Sequence, residues 1–206
     1  MGSALATFQE LTWPEPGRYD LATDTIRPHT GGFAAWLTAD IRRWLARARR
    51  HDNRTTAADE RWVDSVIAAA LPSLQVPFQP CCVHQDFKEG NATVRRDATS
   101  GQWCVSGIFD LMELSFGDGE ADLVRSVAGY LDENPVLARA FVGAYLERRQ
   151  PRPGFVERYP LYMLRDRLIF WEYFHRPGQR WPSAETALPE WAGRYMSTQH
   201  VIGRGQ

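Results

Sequence analysis

The residues best equipped for chemistry lie in one nonapeptide, Val83-His84-Gln85-Asp86-Phe87-Lys88-Glu89-Gly90-Asn91, and in two segments that follow it. These are Ile108-Phe109-Asp110-Leu111 and Gly117-Asp118-Gly119-Glu120-Ala121-Asp122-Leu123. Together they set a carboxylate, an amide and further carboxylates in a fixed order. Phosphoryl transfer needs those residue types. A carboxylate orients the attacking hydroxyl and takes its proton, while an amide oxygen and a second carboxylate hold Mg²⁺ against the phosphates. Each fragment also has an ordinary structural reading. The His of an H-x-D is usually structural, Asp110 can end a strand at a turn, and Asp118 can sit in an Asx-turn before a helix. Their conjunction carries the chemical reading.

The elements that must position these residues are legible from periodicity. After Asn91 the pattern changes to period two. Ala92 to Arg96 and Trp103 to Phe109 read as short strands joined by the turn-rich Asp97-Ala98-Thr99-Ser100-Gly101. Asp86 and Asn91 enter this hairpin and Asp110 leaves it, so three side chains meet without long-range pairing. Elsewhere the pattern is helical. Phe33, Trp36, Leu37, Ile41, Trp44, Leu45 and Ala48 repeat at three-four spacing. A second helix starts near Thr56, with Asp59 as its capping-box partner and Pro72 as its expected end. Further helices are predicted from Glu120 to Leu131, after an Asn134 N-cap with Pro135 at the first position, from Phe155 to His175 with Pro160 as a candidate break, and around Leu188 to Tyr195. Residues 1–32 read as an irregular segment, apart from a short helix within Ala4–Leu11. Residues 33–206 read as one α+β, mainly helical domain.

The 206 residues are 44% hydrophobic and 24% charged, which suits a soluble globular chain. A net charge of −1 supplies no footprint for nucleic acid. No apolar run reaches the length of a membrane span and no signal-peptide pattern opens the chain, so a cytoplasmic location is expected. Three cysteines, two of them adjacent, do not form a disulfide framework. Cys81-Cys82 reads as a buried strand in preference to a Cys-Cys-x-His metal site. Of 24 basic residues only Lys88 is a lysine.

The nonapeptide has the H-x-D-x-x-x-x-N spacing of a kinase catalytic loop. With Ile108-Phe109-Asp110 and Gly117-Asp118 to Asp122-Leu123, the sequence resembles the aminoglycoside phosphotransferase family, which shares the protein-kinase-like fold with choline-kinase-like and other small-molecule kinases. The resemblance runs from about Phe33 to the C-terminus and is specific at the motifs. It implies the C-terminal lobe of a protein-kinase-like fold, with the short hairpin carrying the catalytic and metal-binding residues. It implies a transferase that moves the γ-phosphoryl group of ATP (or GTP) to a hydroxyl of a small molecule, aminoglycoside-like or another amino or sugar alcohol. Carried over by position, Asp86 is the catalytic base and Asn91 and Asp110 are the Mg²⁺ ligands. Lys88 is a catalytic cation that reaches the transferring phosphate of the nucleotide. His84 and Asp122 support the site, Asp122 by holding backbone N–H groups. Asp118 either assists or caps the next helix.

The sequence departs from the family's pattern before Phe33. Similar enzymes have an N-terminal lobe with a Gly-rich loop and a strand lysine. Here no such pattern is present and the sole lysine is already in the catalytic loop. The resemblance therefore implies a catalytic lobe without its N-lobe, whose partners are a hydroxylated small molecule and a missing N-lobe or partner chain. Two readings follow: a small-molecule kinase, truncated and weakly active or inactive alone, and a non-catalytic remnant lobe acting as a binding module. A metal-dependent hydrolase built on Asp86, Asn91 and Asp110 lacks a His-rich or carboxylate-rich ligand set. In similar enzymes the C-terminal helices line the acceptor pocket. That makes Glu157, Asp166, Glu172, Trp171, Tyr173 and Phe174 candidates for a cationic acceptor, each weighed against a packed-core role.

Overall fold

The computed structural model describes residues 1–51, 54–179 and 187–202. The fold is α+β and mainly helical, with two small antiparallel sheets. The helices are α1 (Gly2–Phe8), α2 (Gly32–Arg49), α3 (Ala57–Leu74), α4 (Leu123–Glu133), α5 (Pro135–Leu146), α6 (Phe155–Phe174), α7 (Leu188–Gly193) and α8 (Gln199–Ile202). The strands are β1 (Gly17–Asp20), β2 (Thr25–Pro28), β3 (Cys81–Val83), β4 (Ala92–Arg96), β5 (Trp103–Ile108) and β6 (Ser115–Gly117). The chain divides into two compact units. One holds Met1–His29, Phe78–Pro151 and the described residues from Gln199 on; the other holds Thr30–Pro77 and Arg152–Thr198. Residues 78–151 thus group with the N-terminal segment, not with the helices that flank them in sequence.

Residues 1–32 are not irregular. They contain α1 and a β1–β2 hairpin, and β1 is the second strand of a four-stranded sheet in the order β2-β1-β6-β3. Neither hairpin strand alternates apolar and polar residues, so periodicity gives no signal. Order comes instead from pairing at both edges: Gly17↔Pro28 to Asp20↔Thr25 on one side, Gly17↔Phe116 and Arg18↔Ser115 on the other. The backbones approach closely at Gly17, where a Cβ would lie 2.4 Å from the Arg27 carbonyl oxygen. The turn uses Asp24 in the left-handed region at φ 53°, a conformation aspartate tolerates.

The β4–β5 hairpin lies where alternation predicts it, with Ala92↔Ile108 and Arg96↔Trp103 at its ends and a bulge between Thr93 and Val94. The Asn134 side chain accepts a hydrogen bond from Val136 N–H at 3.0 Å and caps α5. α5 packs on α1, α4 and α8. The core of this unit includes Leu5, Val83, Phe87, Leu123, Val127, Phe141 and Tyr145.

In the second unit α6 packs on α2 and α3. α2 buries Phe33, Leu37, Ile41, Leu45 and Ala48 of the expected face, while Trp36 and Trp44 are half-buried. Thr56 and Asp59 form the expected capping box. Pro72 does not end α3, and Pro160 does not break α6. Each ring removes one bond to the carbonyl four residues back. Those carbonyls belong to Ala68 and Val156, both exposed residues that water can serve. Asp166, Glu172 and Trp171 are interior: Asp166 pairs with Arg167, Glu172 with Arg176 and His51, and the Trp171 indole N–H donates to Thr55 Oγ1 at 2.9 Å. They belong to the packed core, which sets aside their reading as acceptor ligands.

Candidate active site

The segment after β3 is buried at its root and strained at one residue. Gln85 takes φ 73°, a conformation costly for a residue with a Cβ. The cost is met by the Asp122 carboxylate. Its Oδ2 accepts the His84 N–H at 2.7 Å and its Oδ1 accepts the Gln85 N–H at 2.8 Å. Burial pushes the Asp122 carboxyl above its ordinary pKa, while the hydrogen bonds from His84 and Gln85 oppose that rise. Gln9, fully buried, donates through Nε2 to the Gly119 carbonyl at 2.9 Å and to Asp122 Oδ2 at 3.4 Å, and its Oε1 accepts from Tyr145. A Cβ at position 119 would lie 2.3 Å from Gln9 Oε1, so a larger residue there would displace the Gln9 side chain.

His84 joins the two halves of the constellation. Its Nδ1 accepts the Asp86 N–H at 3.3 Å, so its Nε2 carries the proton and donates to the Phe109 carbonyl at 2.9 Å. Phe109 N–H in turn donates to the Asn91 carbonyl at 3.1 Å. These bonds and the Ala92↔Ile108 rung bring Asn91 and Asp110 to the same end of the hairpin. Asp118 Oδ1 accepts from Glu120 N–H at 3.1 Å and caps the short 3₁₀ turn Gly119–Asp122 ahead of α4.

Around Asp86 the charges converge. Lys88 Nζ donates to Asp86 Oδ2 at 2.7 Å, and Asn91 Nδ2 donates to the Asp86 carbonyl at 2.9 Å and to Oδ2 at 3.1 Å. Arg125 Nη1 stands 3.2 Å from Asp86 Oδ1. The contact is close but misaligned, so it is an ion pair and Oδ1 has no hydrogen bond. Asp86 is thus a carboxylate between two cations. Periodicity and motif spacing missed Arg125, Gln9 and the Gln85–Ser115 side-chain bond at 2.7 Å. Arg125 carried one available signal: it follows Asp122 by three residues, one turn along the start of α4.

The donor set suits a hard cation. Asn91 spends its Nδ2 on Asp86, which leaves its Oδ1 as the remaining acceptor. Asp110, exposed at φ 64°, has no side-chain partner among the described residues. An amide oxygen and a carboxylate are the ligand types Mg²⁺ takes. No group of three or more His, Cys, Asp or Glu side chains gathers as a metal set among the described residues.

With this geometry in view, the family follows: the chain matches the model of the phosphotransferase enzyme family over residues 1–157 and belongs to that family. The match takes in the loop, metal-ligand and supporting residues from His84 to Arg125, and ends before the α6 candidates Asp166 to Phe174. It begins at residue 1, ahead of the Phe33 start expected from the motifs, and so includes α1 and the β1–β2 hairpin. No curated protein matches the chain. Among the described residues no helix is long and apolar enough to cross a membrane.

Proposed function

We propose that this phosphotransferase-family chain transfers the γ-phosphoryl group of ATP (or GTP) to a hydroxyl of a small molecule. Asp86 is the base. The acceptor oxygen forms a bond to the γ-phosphorus as the bond to the β,γ-bridging oxygen breaks, the nucleoside diphosphate leaves with the electron pair, and the acceptor proton passes to the Asp86 carboxylate. Asn91 and Asp110 would hold Mg²⁺, which when bound neutralises phosphate charge. Lys88 has a half-exposed side chain and a single partner, Asp86. It moves from that carboxylate to the phosphate, freeing Oδ2 for the acceptor hydroxyl. His84 and Asp122 hold the loop, and Asp118 caps the turn that carries Asp122. The observation that carries the reading is Asp86 held between Lys88 and Arg125, with Asn91 against it.

Turnover of Mg²⁺-ATP over a panel of hydroxylated small molecules tests it. Asp86→Asn is expected to lower kcat by about 10²–10⁴-fold, the usual contribution of a positioned base. Equal turnover by the variant removes Asp86 from the role. The engagement of Asp86 by three neighbours also suits a second reading, a non-catalytic binding module. Thermal unfolding separates the two: stability that rises with Mg²⁺-ATP concentration supports the kinase reading, and a flat response supports the module.

A further inference from the structure

The segment that follows Asp110 lines a cavity of about 800 Å³ within the same unit, in the range of roughly 300–1,000 Å³ typical of small-molecule sites. Its other wall is the β1–β2 hairpin. Tyr19, Leu21, Leu111, Met112 and Leu114 give it an apolar lining, and Leu21 and Met112 are 81% and 76% exposed. Large apolar side chains held this far into solvent beside a concavity mark a surface that something apolar covers.

The charges of the lining are already compensated. Arg18 pairs with Glu113 at 2.7 Å, and Arg27 pairs with Asp20. Among the lining side chains, Asp20 already has a partner cation, and Arg18 and Arg27 each have a partner carboxylate. The cavity is also tied to the candidate catalytic loop. Arg18 pairs across the ladder with Ser115, whose Oγ accepts the Gln85 side-chain N–H next to Asp86. Leu111 follows Asp110 directly, about 3.8 Å along the chain from Cα to Cα.

We infer that this cavity is the acceptor subsite, and that its ligand is a neutral hydroxylated molecule with a sizeable apolar face, such as an aryl or alkyl glycoside, in place of a polycationic aminosugar. The assignment rests on the phosphotransferase reading for its link to Asp86, but binding is measurable without turnover. Calorimetric titration of the full chain uses phenyl β-glucoside and a panel of neutral alkyl glycosides, with kanamycin as the polycation. Met112→Lys and Leu21→Asp change exposed side chains, and circular dichroism checks that each variant is folded. A neutral glycoside is expected to bind, to bind more tightly than kanamycin, and to lose about tenfold or more in affinity in both variants, because a charge must be desolvated against the apolar face.

Absence of binding across the neutral panel, or binding that both variants leave intact, overturns the inference. So does tighter binding of kanamycin. Sedimentation that shows a dimer converted to monomer by Met112→Lys overturns it as well, by making the face an interface between copies. Glycosides that bind in this manner but are never phosphorylated with Mg²⁺-ATP leave the cavity assignment standing and remove the phosphotransferase reading.

Discussion

Three N–H groups converge on the Asp122 carboxylate, from His84, Gln85 and the Gln9 side chain. An amide of the same shape cannot reproduce the arrangement, because one of its two positions is a donor facing a donor. Asp122→Asn is therefore expected to cost about 1–3 kcal/mol of stability, the range for a buried polar group left unmatched. It should also lower kcat with little change in nucleotide KM, since Gln85 loses the grip that sustains its φ of 73° beside Asp86. Urea unfolding and steady-state kinetics check both. An unchanged midpoint would remove Asp122 as the anchor. At this scale the motif residues were visible in sequence, because their types and spacing are fixed by the chemistry. Gln9 was not, since one glutamine near a turn carries no pattern and its partners lie more than a hundred positions away.

At the scale of elements, α6 shows how a helix side chain read as a ligand becomes a cross-tie. Burial alone would raise the Glu172 carboxyl. Hydrogen bonds from Arg176 and His51, with the charges of Arg176 and Arg47, outweigh it and hold the pKa below the ordinary value of 4.5. A carboxyl depressed on folding binds protons less readily when folded than when unfolded. Its contribution is complete above the ordinary glutamate range and is lost as pH falls through the depressed folded-state value. Unfolding followed from pH 7 downward should therefore show wild type more stable than Glu172→Gln at neutral pH, with the gap closing below about pH 4 as the carboxylate protonates. A gap independent of pH would mean that packing, not charge, sets the contribution. The helices themselves were readable because three-four spacing, the Thr56–Asp59 box and the Asn134–Pro135 start are local signals. Pro72 and Pro160 misled because a proline's local cost is one term among many: each abandons the carbonyl of an exposed residue, and the packing of the rest of the helix keeps it continuous.

For the molecule as a whole, the three cysteines give a simple readout of packing. Burial pushes the Cys81 and Cys82 thiols up to about 12, so both are neutral thiols near physiological pH, whereas Cys104 lies partly exposed on β5. The thiolate is the reactive form. A disulfide reagent at pH 8 is expected to titrate one thiol in the native protein and three in denaturant. Rapid reaction of all three in the native state would show that the sheet holding β3 opens readily.

The sequence by itself determined the order of the chemical groups, the hairpin that gathers Asn91 and Asp110, and most helices. Each depends on residues within a few positions of one another. Tertiary structure alone decided the β1–β2 hairpin, the Gln9 and Arg125 contacts, the interior fate of Asp166 and Glu172, and the cavity beside Leu111 and Met112. β1 is ordered by a partner, β6, some hundred residues away, and Arg18 meets Glu113 over the same distance. Pairings of that reach are set by which backbones and charges remain unmatched after the chain collapses, and no local spacing encodes them.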